Sequence, residues 1–280
     1  MEKAIKRYFP IFVLPTMIAF TLGFIIPFAE GVYLSFCKFT TVNDAKFIGL
    51  SNYAKVFKDS TFVHAFWYTA AFTVVSVILI NVLACAVALL LTKGIKGTNV
   101  FRTVFFMPNL IGGIVLGYIW QLLLNGILMK FSRTLTYSST FGFWGLVILM
   151  CWQQIGYMMI IYIAGIQNIP GELIEAAEID GATKRQVLKS VTIPMVMPSI
   201  TVCTFLTLTN SFKLFDQNLA LTNGEPSKMS EMLALNIFNT FYGRAGYEGV
   251  GQAKAVIFFI LVAAIALTQN YLTRRKEVQQ

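Results

Sequence analysis

Charge is scarce in this chain. Aspartate, glutamate, lysine and arginine make up 12% of its 280 residues, against about 25% in a soluble domain. That shortage argues against an ordinary soluble enzyme. Histidine occurs once, as His64. A single imidazole supports no metal cluster, no obvious nucleophile stands beside it, and its place at the lip of an apolar run reads as interfacial. The four cysteines, Cys37, Cys85, Cys151 and Cys203, show no paired spacing. Three lie inside apolar runs, where a free thiol packs as a small hydrophobe, so neither a disulfide framework nor a zinc site is expected. No phosphate-cradling G-x-x-x-x-G-K-[ST] is present. The Gly112-Gly113 pair lies at lipid depth, where close helix packing is the better reading. No acid–base dyad or nucleophile constellation stands out. No catalytic residue, metal ligand or cofactor is therefore expected in this chain, and it should not hydrolyse ATP itself.

What is present is hydrocarbon. The chain is 56% hydrophobic with a mean hydropathy of +0.68, and a membrane-spanning helix needs about 20 apolar residues. Six runs qualify, at about 9–36, 66–91, 101–124, 143–166, 195–215 and 253–272. The expected fold is all-α and integral to the membrane, a single transmembrane domain over 1–280. Pro15 and Pro27 predict kinks in the first run, and Pro108 with Gly112-Gly113 predicts a break early in the third. The first run is too long for a cleavable signal peptide and lacks a small-residue cleavage site.

The net charge of +9 is spread over the ends of these runs, which argues for membrane topology rather than nucleic-acid binding. Lys3, Lys6, Arg7, Lys93, Lys96, Arg102, Lys184, Arg185, Lys189, Arg274, Arg275 and Lys276 fall in short segments of one side. Lys38, Lys46, Lys55, Lys58, Lys130, Arg133, Lys228 and Arg244 fall in longer segments of the other. The first side is expected to be cytoplasmic, with both termini inside a bacterial-type cell membrane. The four lysines before the second run soften that bias.

Between the fourth and fifth runs lies the longest charged, helix-prone segment, a loop at 170–194. Pro170 and Gly171 open a helix. Glu172, Glu175 and Glu178 share one face, and Leu173, Ile174, Ala177 and Ile179 form an apolar stripe. Asp180 and Gly181 end it. A second short helix is expected at about 183–191, with Pro194 and Pro198 marking the start of the fifth span. An apolar stripe on a solvated loop needs a partner to cover it.

Glu175-Ala176-Ala177, then Gly181, then Val191-Thr192-Ile193-Pro194 resembles the Glu-Ala-Ala loop of binding-protein-dependent ABC importer permeases. Val191 and Ile193 replace the family's Ile and Leu. Other stretches are similar to the carbohydrate-type members, such as the maltose and glycerol-phosphate permeases. They are Phe47-Ile48-Gly49-Leu50-Ser51-Asn52-Tyr53, the Arg102 to Pro108 segment, Trp120, Phe215-Asp216, and Leu221 to Pro226, where Glu225 stands for a glycine.

The resemblance implies that the loop is a coupling helix pair docking on an ATP-binding subunit, through Glu172, Glu175, Ala176, Ala177, Asp180, Gly181 and Pro194. It implies a second homologous permease chain, an ATPase dimer that uses ATP and magnesium, and an extracytoplasmic solute-binding protein. A sugar would sit between the fourth and fifth spans, partly stacked on aromatics. Gln153, Gln154, Tyr157, Thr207, Asn210 and Ser211 are the polar and aromatic residues there. Gln154, Tyr157, Thr207, Asn210 and Ser211 are the expected binding set, since polar side chains within a span face a cavity or another helix. Lys213 would either face an acidic sugar or pair with Asp216, and the pairing is the expectation.

The rival readings are an ion-gradient-driven secondary transporter and a membrane enzyme. The first would predict internal repeats and carboxylates at the midplane, whereas Glu30 and Asp216 lie near run ends. The second lacks a catalytic constellation.

Overall fold

The computed structural model describes residues 2–274, with side chains from Phe9 to Thr273 except Pro10. Arg275 and Lys276, part of the basic set assigned to the C-terminus, lie outside the described residues, as do the side chains of Lys3, Lys6, Arg7 and Arg274.

Helices dominate because apolar runs in lipid must satisfy every backbone group internally. In chain order they are α1 (Glu2–Phe20), α2 (Ile26–Leu34), α3 (Ser51–Lys58), α4 (Ser60–Leu91), α5 (Thr98–Phe106), α6 (Gly113–Leu128) and α7 (Ser139–Gln167). They continue with α8 (Gly171–Ile179), α9 (Lys184–Val187), α10 (Ile193–Met195), α11 (Met197–Phe212), α12 (Asp216–Leu221), α13 (Leu233–Gly243) and α14 (Glu248–Arg274). A small antiparallel hairpin, β1 (Cys37–Lys38) with β2 (Lys46–Phe47), stands between α2 and α3.

Among the described residues, five helices are long and apolar enough to cross a membrane: Ile11–Leu34, Ser60–Leu91, Gly113–Phe131, Ser139–Gln167 and Glu248–Thr273. The pair Lys184–Met195 and Met197–Phe212 makes a sixth if its two arms, bent by 67°, count as one. Proline accounts for the bend. Pro198 has no N–H to offer the Pro194 carbonyl, and its ring crowds that carbonyl.

Two expected boundaries move. The third span begins at Gly113, not near 101, because α5 and a 3-10 turn at Met107–Leu110 form a separate piece ahead of the extended Gly112. In the first span α1 runs unbroken through Pro15, and the irregularity is a π turn at Thr21–Ile25 just before Pro27.

The contacts divide the chain into two compact units, 1–60 with 237–260, and 61–236 with 261–280. The first unit is tied together by polar anchors. Asn52 is buried and donates to the carbonyls of Ser35 at 3.0 Å and Cys37 at 2.8 Å. Gly249 permits the close approach of α14, since a Cβ there would overlap the Cys37 carbonyl and the Asn52 amide. Lys254, with a side chain 0% exposed, donates to Asp59 Oδ2 at 2.8 Å and to Thr240 Oγ1 at 2.7 Å. Removing one partner of a buried pair strands the other charge, at a cost of about 3–5 kcal/mol. Lys254→Ala is therefore expected to lower the detergent-solubilised protein's melting temperature sharply. A Lys254→Met/Asp59→Leu double variant should recover most of the loss. A double variant as unstable as the single one would show that the pair is not the cause.

The second unit centres on α7. Of the most apolar window of each span, 67% is buried in α7 but 28% in α4 and 11% in α6. Leu146, Leu149, Met150, Met158, Met159 and Tyr162 of α7 form the middle of the core with Phe72 and Ile80 of α4 and Cys203 of α11. Glycines set the spacing. A Cβ at Gly156 would run into the carbonyl of Phe105 on α5, and one at Gly165 into the Ser199 hydroxyl on α11. On α6, Gly113 and Gly117 admit α12, since a Cβ at each would lie only 2.7 Å from the Cβ atoms of Asp216 and Ala220 respectively. The packing expected of the Gly112-Gly113 pair is thus the work of Gly113, since nothing lies within 4 Å of a Cβ at Gly112.

Candidate functional site

Two places in the second unit carry polar chemistry. The first is the turn between α8 and α9. Gly181 adopts φ +81°, a left-handed conformation that glycine tolerates without penalty. Its N–H donates to the Glu178 carbonyl and that of Ala182 to the Ala177 carbonyl, both at 3.0 Å. These are the paired bonds of a Schellman C-cap, which satisfy the last carbonyls of α8. Asp180 is the cap residue. The chain restarts at once: Thr183 N donates to Gln186 Oε1 at 2.8 Å and Gln186 N to Thr183 Oγ1 at 3.4 Å, a capping box. Two helix ends are thereby fixed within a few residues, and the angle between them is rigid.

The second short helix is not the plain α-helix expected over 183–191. The α-helical part is Lys184–Val187, followed by a π turn at Leu188–Thr192 and then α10. Pro194 lies inside this run, and the span proper begins only after Val196.

The expected apolar stripe divides. Ile174 packs on the core, while Leu173 is exposed and Ile179 is 86% exposed. Glu172, Glu175 and Glu178 all face outward with Ala176. Ala177, Asp180, Gly181, Gln186, Val187 and Val191 surround an open hollow of about 280 Å³. The loop thus offers an exposed carboxylate face, a protruding isoleucine and a hollow at its turn.

The second place lies between α7, α11 and α12. An open recess of about 350 Å³ is lined by Met150, Gln154, Asn210, Lys213, Leu214 and Gln217. Gln154 is 8% exposed and its Oε1 has no hydrogen-bond partner. A buried amide oxygen left open in this way is an acceptor waiting for a donor. Gln217 is buried and donates to Gln153 Oε1 at 2.8 Å, while Gln153 donates to the Ile111 carbonyl at 3.3 Å.

Of the five residues expected to bind a solute, the structure brings Gln154 and Asn210 together in the recess. Ser211 is fully buried with an unpartnered hydroxyl. Thr207 is also fully buried, but its hydroxyl donates to the Cys203 carbonyl at 2.7 Å and accepts from Asn81 Nδ2 at 3.4 Å. Asn81 Oδ1 in turn accepts from Tyr162 at 2.8 Å. Thr207 therefore joins helices in this conformation and does not line the recess. Tyr157 packs its ring against Phe106 at 6.4 Å between centroids, also away from it.

The expected Lys213–Asp216 pair does not form. Lys213 is exposed on the recess, while Asp216 opens α12 with its Cβ against Gly113. Lys213 falls inside the fifth run expected at 195–215, although α11 ends at Phe212, whereas Gln217, which reaches the recess from α12, carries no signal in the sequence.

The segment after α12 is organised by Asn218. It donates to Thr222 Oγ1 at 3.0 Å and to the Ser230 carbonyl at 2.8 Å, and it accepts from Met232 N at 2.9 Å. His64 reaches the Met229 carbonyl at 3.0 Å and Thr69 accepts from Leu233 N at 2.8 Å, so α4 holds this segment in place. Among the described residues the buried carboxylate is Glu231, bonded to Asn236 at 2.7 Å and lying in the segment between α12 and α13 rather than within a span.

A long central span, a bent neighbour and a rigid exposed helix pair joining them define a membrane-embedded transport subunit. The fold matches a bacterial alginate ABC transporter solved in complex with an alginate pentasaccharide-bound periplasmic protein, with a TM-score of 0.82 over 98% of this chain and 97% of that one at 20% identity. Residues 80–278 match the family described as binding-protein-dependent transport system inner membrane component, and the chain belongs to it. It is 43% identical to the probable starch degradation products transport system permease protein AmyD of Thermoanaerobacterium thermosulfurigenes, covering 96% of this chain and 94% of that one. It is also 29% identical to the multiple sugar-binding transport system permease protein MsmF of Streptococcus mutans, over 99% of both. The chain is a permease subunit of an ABC importer, not a secondary transporter.

Proposed function

We propose that this permease translocates a sugar, delivered by an extracytoplasmic binding protein, and that a partner ATPase using ATP and magnesium drives it through the α8–α9 turn. The observation that carries the coupling half is that turn: a rigid helix pair with exposed Glu172, Glu175 and Ile179, joined directly to α7 and, through the 67° bend, to α11. Movement imposed on the pair is passed to the two helices that flank the recess. Ala176, Ala177 and Gly181 leave room for a close partner, and Pro194 stiffens the run towards the bend.

The sugar half rests on the names of the relatives and on the chemistry of the recess. Gln154 Oε1 accepts, the amide of Asn210 both donates and accepts, and Lys213 donates. Such groups recognise hydroxyls. Ser211, one residue beyond Asn210, holds an unpartnered buried hydroxyl, while Thr207 and Tyr157 face other helices in this conformation. The pathway requires a second homologous permease chain, because the recess is open on one side. The distribution of Lys and Arg supports cytoplasmic termini.

Affinity purification from the native membrane tests the assembly: an ATPase, a second permease and a binding protein should copurify. Recovery of the chain alone, still transporting in vesicles without ATP, would sink the reading. For the recess, Asn210→Ala removes a hydrogen bond worth about 0.5–1.5 kcal/mol. Uptake efficiency is expected to fall between about twofold and tenfold with assembly intact. Unchanged uptake would remove Asn210 from the pathway.

A further inference from the structure

The segment between the first two spans, 35–59, runs against the charge rule that orients the rest of the chain. It holds Lys38, Lys46, Lys55 and Lys58, with only Asp44 and Asp59 as acids. Asp59 is bound to Lys254. Asp44, itself exposed, accepts from the amides of Thr40 at 2.9 Å and Thr41 at 3.0 Å, and these bonds, with a smaller contribution from the charge of Lys46, hold its carboxyl below the usual carboxylate range. All four lysines are exposed, and none makes an ion pair among the described residues.

Two of them stand directly opposite each other, Lys38 facing Lys46 across the β1–β2 ladder. Like charges in that position destabilise a hairpin, and Asp44, which makes no ion pair with either lysine, offsets the two charges only in part, so the pair favours a further anion beside it.

Helix α3 repeats the pattern with apolar partners. Its inner face is fixed by Asn52 and Val56, both buried. On the outer face Leu50, Ala54 and Phe57 follow at helical spacing, with Ser51, Lys55 and Lys58 as the adjoining row. Phe57 is 70% exposed. Phe47, also exposed, lies with Tyr53 about the ring of Phe36, at 6.4 and 5.2 Å between centroids. Exposed aromatics beside lysines are the composition of a helix lying in a membrane interface. Contacts within the first unit place α3 at that level, since Asn52 donates to the carbonyl of Ser35, the residue that follows α2, and α2 closes the membrane-spanning run Ile11–Leu34.

We propose that the β1–β2 hairpin and α3 form a lipid-binding platform, with Phe57 and Leu50 seated among acyl chains and the four lysines on the phosphates of anionic phospholipids. Rim position, apolar stripe and unpaired cations all favour lipid over a protein partner, whose docking would need no apolar row at membrane depth. The platform rests on the outward orientation proposed above, and the test separates the two.

The reconstituted importer is placed in bilayers of phosphatidylcholine with a trace of spin-labelled phosphatidylglycerol or spin-labelled phosphatidylcholine, and the immobilised fraction of each is measured. The wild type should retain the anionic label preferentially. A Lys38→Gln/Lys46→Gln/Lys55→Gln/Lys58→Gln variant should lower that preference by about fivefold or more, the effect of at least one basic group at an anionic surface. A Lys130→Gln/Lys228→Gln control should keep it. An unchanged preference in the four-lysine variant overturns the proposal. So does full retention of lipid binding with loss of binding-protein docking, which would assign the surface to the protein partner. Labelling of a Ser51→Cys variant in intact cells by a membrane-impermeant maleimide reads the orientation alone. Failure to label would reverse the sidedness without touching the lipid result.

Discussion

Gly181→Asp is expected to cut uptake while the protein still inserts and assembles. Two effects combine at this position. The backbone sits at φ +81°, and forcing a residue with a Cβ into that conformation costs about 1–2 kcal/mol. Relief of that strain unwinds the Schellman bonds from Gly181 and Ala182, so the α8 carbonyls of Glu178 and Ala177 lose their partners. The angle between α8 and α9 then becomes variable.

The new carboxylate also intrudes on the hollow lined by Ala177, Asp180 and Gln186. Space itself is not the obstacle, since nothing lies within 4 Å of a Cβ at Gly181 in this chain. The damage is to conformation and to any surface that must fit against the turn. Uptake should fall by about fivefold to 150-fold, given that coupling energies between sites are about 1–3 kcal/mol. Glu175→Lys, which leaves the turn intact and reverses one exposed charge, should have a smaller effect of the same sign. The check is solute uptake by membrane vesicles at matched protein levels, with basal ATP hydrolysis measured alongside. Normal uptake by both variants would remove this loop from the mechanism.

Gly156→Leu should prevent stable folding. A Cβ at Gly156 overlaps the Phe105 carbonyl and crowds the amide of Phe106, so the obstacle is backbone rather than a movable side chain. Overpacking of a well-filled core costs about 1–3 kcal/mol. Here α5 would have to leave α7 altogether, so the cost should lie at or above the top of that range. Gly112→Ala, just ahead of α6, provides the contrast, because a Cβ there meets nothing. Size-exclusion profiles and melting temperatures in detergent should show aggregation or a large downward shift for the first variant and little change for the second. A Gly156→Leu protein that melts with the wild type would mean that α5 is not packed on α7.

The apolar runs, the charged helical loop and their order are legible in the sequence because each depends on local chemistry. Hydrocarbon runs of membrane length have one physical use, and a charged helical pair between two of them has few. Gly181 as a turn residue is equally legible, since only glycine adopts that φ freely.

The recess is half legible. Gln154 and Asn210 stand out because an amide inside a span is expensive and so conspicuous. Lys213 is conspicuous, but the sequence points it at Asp216 rather than the recess, while Gln217 escapes notice because a polar residue past a span end looks ordinary. Residue type alone puts Thr207 and Tyr157 in the recess, but the direction of each side chain is decided by its neighbours. A hydroxyl in a span can return to its own helix, as Thr207 does to Cys203, and only the packing of α4 against α11 reveals it.

Sequence alone thus determined that this chain lies in the membrane, which runs are apolar enough to cross it, and where the charged helical turn between two of them falls. Tertiary structure alone decided which glycines carry helix contacts, which lysine finds an aspartate, and which polar groups remain free. Lys254 and Lys213 are the same residue type near the ends of their spans. One is buried on Asp59 and the other stands open on the recess. The difference is a property of elements brought together from distant parts of the chain, and no local pattern encodes it.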